Sequence, residues 1–223
     1  MKKCIAVFVV FFIIIIFEAA ISAEYILSDN RAVDVVETDT NIDIYMRMVM
    51  IGEKADDFLP NERITYEMAF VQGICEKWSG EYGGKKVEVH IIQTEEATKE
   101  KKIRVYFDTA ETFFERCCAD KQALSVWMYI NDLSTGIHLK YSYEGFKQVA
   151  AHEIGHIMGL ADVYNDENEF IRQNAASIMR SWSYASATDF DYYVLLNHKT
   201  WLGNGYFQYS DVGNADAEKW CKT

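Results

Sequence analysis

Apolar and polar residues alternate through 42–51, where Ile42, Ile44, Met46 and Met48 fall on one face. A period of two places them on the buried side of a strand. The period changes after Pro60, a residue suited to the first position of a helix. Ile64, Met68, Val71, Cys75 and Trp78 recur at spacings of four and three, which predicts a helix with that stripe buried. Gly80, Gly83 and Gly84 end it. Strand-like runs follow at 87–93 and 103–107, separated by the charged stretch 95–102. Two more are expected at 126–130 and 137–141, with Asn131, Asp132 and Gly136 as turn material between them. Residues 144–158 contain no proline and bring Phe146, Ala150, Ile154 and Ile157 to one side, the core stripe of a second helix. Thr188 followed by Asp191 reads as a helix cap, and Phe190, Tyr193 and Val194 give the last helix an apolar side. No repeat, low-complexity tract or Pro/Ser-rich linker interrupts this order, and an α+β fold is expected.

The two ends of the chain divide it further. Lys2 and Lys3 precede thirteen unbroken apolar residues, 5–17, and Ala19, Ala20, Ser22 and Ala23 follow. Residues 1–23 therefore read as a secretory signal cleaved after Ala23. The apolar run is shorter than the ~20 residues a membrane-spanning helix needs, so no stable membrane anchor is expected. Residues 24–40, with Asp29, Asp34, Glu37 and Asp39, read as an N-terminal arm or short pro-segment. Residues 41–223 read as a single domain, expected to be a monomer. Cys4 leaves with the signal. Cys75, Cys117, Cys118 and Cys221 remain, an even number that in an exported chain points to two disulfides. Adjacent cysteines are badly placed to bond each other, so Cys75 is expected to pair with one of the central two and Cys221 with the other. The chain carries 22 basic and 34 acidic residues, net −12. Phosphate binding needs clustered Lys and Arg, so this acidity excludes nucleic acid as an expected partner.

Chemistry concentrates in 152–162, which reads His-Glu-Ile-Gly-His-Ile-Met-Gly-Leu-Ala-Asp. Residues four apart on a helix lie about 40° apart on one face, so His152 and His156 can bind one Zn²⁺ at ~2.0–2.1 Å each. Both fall away from the core stripe, and Glu153 lies near its edge. Glu153 sits where a general base for a metal-activated water belongs. Gly159 lets the chain turn out of the helix, and Asp162 can then return a carboxylate to the same ion. His90, His138 and His198 have no ligand-spaced partner.

The pattern HExxHxxGxxD resembles the metzincin zinc-peptidase signature, which has a third His where this chain has Asp162. With that Asp it is similar to the small secreted neutral proteases of the snapalysin type. The match is sharp over 152–162, and the order of elements extends it over 41–200. The resemblance implies a mixed sheet with an N-terminal helix, a zinc-binding helix, a Met-turn and a C-terminal helix. It makes 176–180 the Met-turn, with Met179 beneath the metal, and 126–130 an edge strand that pairs with extended substrate. It further implies one catalytic Zn²⁺ held by His152, His156 and Asp162. Glu153 then takes a proton from the zinc-bound water and passes one to the leaving amine of a protein or peptide substrate. An Asp ligand leaves the centre one unit less positive than a third His, so its water is less acidified. Glu167 and Glu169 are alternative third ligands of no recognisable spacing, and Tyr164 and Tyr184 lie near enough in sequence to assist. The expected function is a secreted zinc-dependent metalloendopeptidase. The alternative is an exported, catalytically inactive zinc-containing binding protein of the same fold, in which Glu153 would have no use.

Overall fold

The computed structural model describes residues 32–60, 62–99, 101–112, 117–132, 139–160, 162, 177–179 and 186–197, and the backbone of 23–26. β1 (Ala23–Ile26) and β2 (Val33–Glu37) form an antiparallel pair. β2 continues antiparallel onto β3 (Asn41–Ile51). Much of the segment expected as an N-terminal arm is thus built into the sheet. Val33 and Val35 face the core while Asp34 is tied to Arg47 by an ion pair of 2.5 Å. In β3 the expected alternation holds, with Ile42, Ile44, Met46 and Met48 no more than 1 % exposed.

The first helix differs from its predicted register. α1 (Tyr66–Trp78) begins at Tyr66, with Thr65 as its cap, whose hydroxyl accepts the Met68 N–H at 3.2 Å. It starts six residues after Pro60, and its buried face is Tyr66, Ala69, Phe70, Gly73, Ile74 and Trp78. Met68, placed in the predicted stripe, is 52 % exposed. Gly80 does not simply end the helix but starts β4 (Gly80–Tyr82), which forms a hairpin with β5 (Lys85–Gln93). Gly83 and Gly84 have φ of 59° and 78°, the left-handed values a two-residue hairpin turn requires.

β6 (Ile103–Asp108), β7 (Cys118–Asp120) and β8 (Ser125–Tyr129) complete the eight-stranded sheet. β3 pairs parallel with β5 along one side, and with β6 along the last four residues of the other, beyond β2. β6 pairs parallel with β8, and β8 pairs antiparallel with β7. The strand expected at the edge, 126–130, is therefore interior over Ser125–Trp127, and the three-residue β7 is outermost. A two-stranded ribbon of β9 (Asn131–Asp132) and β10 (Leu139–Lys140) follows; the rest of the run predicted at 137–141 includes residues outside the described ones.

α2 (Tyr143–Ile157) is capped by Ser142, whose hydroxyl accepts the Gly145 N–H at 3.1 Å. Its predicted stripe is buried, with Phe146, Ala150 and Ile154 at 0 % and Ile157 at 2 % exposure. α2 crosses α1 closely at Gly73, where a Cβ would lie 2.6 Å from the Lys147 carbonyl oxygen. The Trp78 indole N–H donates to the Ala151 carbonyl at 2.8 Å and fixes the crossing. α3 (Asp189–Asn197) docks on the end of α1. The Tyr192 hydroxyl donates to the Trp78 carbonyl at 2.9 Å, and the Ala187 N–H to the Lys77 carbonyl at 2.6 Å. The described residues thus form an α+β fold of three helices and a mixed sheet. No helix among them is long and apolar enough to cross a membrane. Of the signal segment expected at 1–23, residues 1–22 lie outside the described residues and Ala23 is the first residue of β1.

Candidate metal centre

His152 and His156 project from the last two turns of α2, with ring centroids 4.9 Å apart and planes at 89°. The helix then ends in a glycine-dependent motif. Gly159 adopts φ 98°, its N–H donates to the His156 carbonyl at 2.9 Å, and the Leu160 N–H donates to the Gly155 carbonyl at 3.0 Å. This paired closure satisfies two carbonyls left open at the helix end and turns the chain back across the histidines. Asp162 Oδ1 arrives 3.1 Å from His152 Nε2 and 3.4 Å from His156 Nε2. One ligand atom from each of the three residues lies within 4.8 Å of the others.

The other ring nitrogens are held by backbone. His152 Nδ1 lies 3.2 Å from the Ile178 carbonyl oxygen, and His156 Nδ1 lies 2.9 Å from that of Leu160. A carbonyl only accepts, so each Nδ1 carries the proton and donates. In the neutral rings each Nε2 then presents a lone pair toward Asp162. Asp162 Oδ1 is buried and has no hydrogen bond of good geometry. Three acceptors facing one point repel each other unless a positive charge joins them. A cation satisfies all three, and two imidazoles with one carboxylate are a fitting donor set for zinc.

In the absence of a cation, protons take its place. Burial opposes a charge on His156, but hydrogen bonding to Asp162 and the charges of Glu153 and Asp162 outweigh it and raise its pKa above the ordinary value. Burial likewise opposes ionisation of Asp162, yet the two imidazoles hold its carboxyl well below the usual carboxylate range.

Glu153 is 7 % exposed. Its charge is felt on one side by His156 and on the other by the thiol of Cys117, which burial first and Glu153 second push up to about 12. The Cys117 sulfur accepts the Tyr129 N–H at 3.3 Å, at the end of β8. Cys75 donates to the Val89 carbonyl at 3.7 Å, far along the sheet from this point. No disulfide joins Cys75, Cys117 or Cys118 to another described residue, and Cys221 lies outside the described residues.

Met179 is fully buried against the helix that carries the histidines. A Cβ added to Gly155 would collide with its sulfur and come within 3.1 Å of its methyl and 3.2 Å of the Trp78 ring. Ser177 and Ile178 precede it in a turn that Asp191 holds. Asp191 Oδ1 accepts the Ser177 hydroxyl at 2.5 Å, and Oδ2 accepts the Ile178 N–H at 3.2 Å. The Ser177 oxygen in turn accepts the Met179 N–H at 3.0 Å. Asp191 also caps α3 as predicted, taking the Thr188 N–H at 2.8 Å and hydroxyl at 2.9 Å.

The structure therefore brings together His152, His156 and Asp162, sets Glu153 and Met179 beside them, and keeps His90 apart. His90 pairs with Asp43 at 2.8 Å and stacks on Tyr45 at 4.7 Å, among the strands. Tyr164, Glu167, Glu169, Tyr184, His138, His198 and the rest of 176–180 lie outside the described residues. Gly155, Leu160 and Ile178 were not singled out from sequence. Asp191 was read only as a cap, because its second role is a contact between segments that no local spacing reveals. No protein-family model, no curated protein and no solved structure matches the chain.

Proposed function

We propose that the chain is a secreted zinc metalloendopeptidase. The observation that carries the reading is the convergence of His152 Nε2, His156 Nε2 and Asp162 Oδ1 on one point. His152, His156 and Asp162 would hold the ion. Zinc there would supply a Lewis acid that polarises a peptide carbonyl and makes water a nucleophile at neutral pH. The remaining work falls to the chain. Glu153, largely buried and adjacent in sequence to the first ligand, takes the proton of the attacking water on a carboxylate oxygen. It then returns that proton to the amine that leaves. Leu160 and Ile178 keep both imidazoles in the tautomer that offers Nε2. What supports secretion is the composition of residues 1–23,. What supports a protein substrate is the placement of Glu153 beside the three ligands, together with the resemblance of 152–162 to a zinc-peptidase signature.

The test is elemental analysis paired with casein cleavage for the wild type, Glu153→Gln and Asp162→Ala. The wild type is expected to hold one zinc and cleave. Glu153→Gln should keep the zinc and lose cleavage, and Asp162→Ala should lose both. Stoichiometric iron in place of zinc would overturn the metal assignment. Zinc-loaded wild type that hydrolyses no peptide would overturn the enzyme reading in favour of an exported zinc-containing binding protein.

A further inference from the structure

We infer that Asp191 is a positioning residue of the centre, acting through Ser177 and Ile178 on His152. The inference rests on the metal reading above only for its affinity arm. Asp191 is fully buried in the first turn of α3, and a helix cap alone does not require that. A capping carboxylate works at the surface of a helix end, using one or two acceptor sites. Asp191 instead accepts four hydrogen bonds. Two come from Thr188 and serve the cap; two come from Ser177 and Ile178, fourteen and thirteen residues earlier. The second pair leaves both oxygens satisfied and fixes the turn at 177–179.

The turn has two outputs. The Ile178 N–H is held by Asp191, and the carbonyl of the same residue receives the Nδ1–H of His152. The Ser177 hydroxyl donates to Asp191 and accepts from the Met179 N–H, which seats the Met179 side chain against Gly155 on the same helix as the histidines. α3 is itself anchored to the end of α1 through Tyr192 and Ala187, so Asp191 stands on a fixed base. His156 is served differently. Its Nδ1 is held by Leu160, within the exit of its own helix, and nothing in that contact passes through Asp191. The two ligands thus have independent supports, and loss of Asp191 should disturb one and spare the other.

That asymmetry separates positioning from general structural damage, which would affect both rings. The experiment records imidazole nitrogen shifts of the full chain by NMR without metal, and zinc dissociation constants by chelator competition. The proteins are wild type, Asp191→Ala, Asp191→Asn and Ser177→Ala. In Asp191→Ala, His152 is expected to lose its Nδ1–H tautomer preference while His156 keeps its own. Zinc affinity should fall about 10- to 100-fold, the usual loss when a partner of a metal ligand is removed. Asp191→Asn should restore both, since a carboxamide oxygen can accept from Ile178 and Thr188 while its NH₂ donates to Ser177. If Asp191→Ala does not fold, Ser177→Ala decides, with a smaller shift expected at His152 and none at His156. Equal changes at both histidines, or no change at His152 in a folded variant, would overturn the inference. A wild type that binds no zinc would defeat the metal reading, yet the tautomer measurement would still decide the role of Asp191.

Discussion

The Leu160 carbonyl accepts a hydrogen bond from His156 Nδ1 across the turn that Gly159 makes, so one glycine both ends the helix and orients the His156 ring. Gly159→Ala puts a Cβ on a backbone at φ 98°, a region that costs an L-residue roughly 1–2 kcal/mol. The variant should be destabilised by about that amount in urea. Its zinc affinity should fall as well, because Leu160 and Asp162 both follow the turn. Unchanged affinity in a folded Gly159→Ala protein would show that the turn does not place the ligands.

Gly155 and Met179 form a second pair that can be tested as a pair. Gly155→Ala forces the Met179 side chain off the helix, an overpacking expected to cost about 1–3 kcal/mol. Met179→Ala alone leaves a cavity and is also expected to destabilise. The double variant should be more stable than the sum of the two losses predicts. A cycle with no coupling energy would mean that the two residues do not compete for the same space.

His156 and Asp162 give the protein opposite pH responses with and without metal. His156 has a folded pKa above its reference of 6.5, so its contribution to the metal-free fold is complete below 6.5 and is lost as pH rises through the folded value,. Asp162 has a folded pKa below its reference of 3.8, so its contribution is complete above 3.8 and is lost as pH falls through the folded value,. The metal-free protein is thus supported by this pair between those references. Zinc must displace the His156 proton, so its stabilising effect grows as pH rises through the raised pKa. The difference in melting temperature between zinc-loaded and metal-free protein should widen from pH 6 to pH 8. A difference that does not vary with pH would count against His156 as a ligand.

Gln148 lies one helical turn before His152, is 8 % exposed, and has no hydrogen-bond partner for either its amide oxygen or nitrogen among the described residues. A buried amide left unpaired costs about 1–3 kcal/mol. Gln148→Leu, of similar shape, should raise the unfolding free energy of the metal-free protein. A loss of stability on that substitution would mean that the amide is hydrogen-bonded in solution.

The parts legible in sequence are those written in local spacing. β3 and α2 were legible because Ile42 to Met48 and Phe146 to Ile157 repeat at two and at three-to-four residues without interruption. His152, His156 and Asp162 were legible because two ligands share a helix and the third follows its exit. The buried face of α1 was not, since Met68 and Val71 fit one helical face as well as Ala69 and Phe70 fit another, and only packing against α2 and the sheet selects between them. β7 escaped notice because Cys118–Asp120 is short and two of its three residues are exposed. The contacts from Asp191 to Ser177 and Ile178 depend on how α3 docks, which no window of sequence contains.

The unequal sequence distances of the two imidazole supports have a consequence for how the centre is made. His156 reaches its carbonyl four residues away, whereas His152 needs one twenty-six residues away, fixed by a carboxylate a further thirteen residues on. Closing a short loop precedes closing a long one when nothing else intervenes. As the chain folds, α2 and its exit can form first, with His156 and Asp162 in place. His152 acquires its fixed tautomer only after α3 has docked. On the zinc reading proposed above, tight binding would await that docking, and a chain stopped short of Asp191 would carry the complete signature while holding an ion weakly.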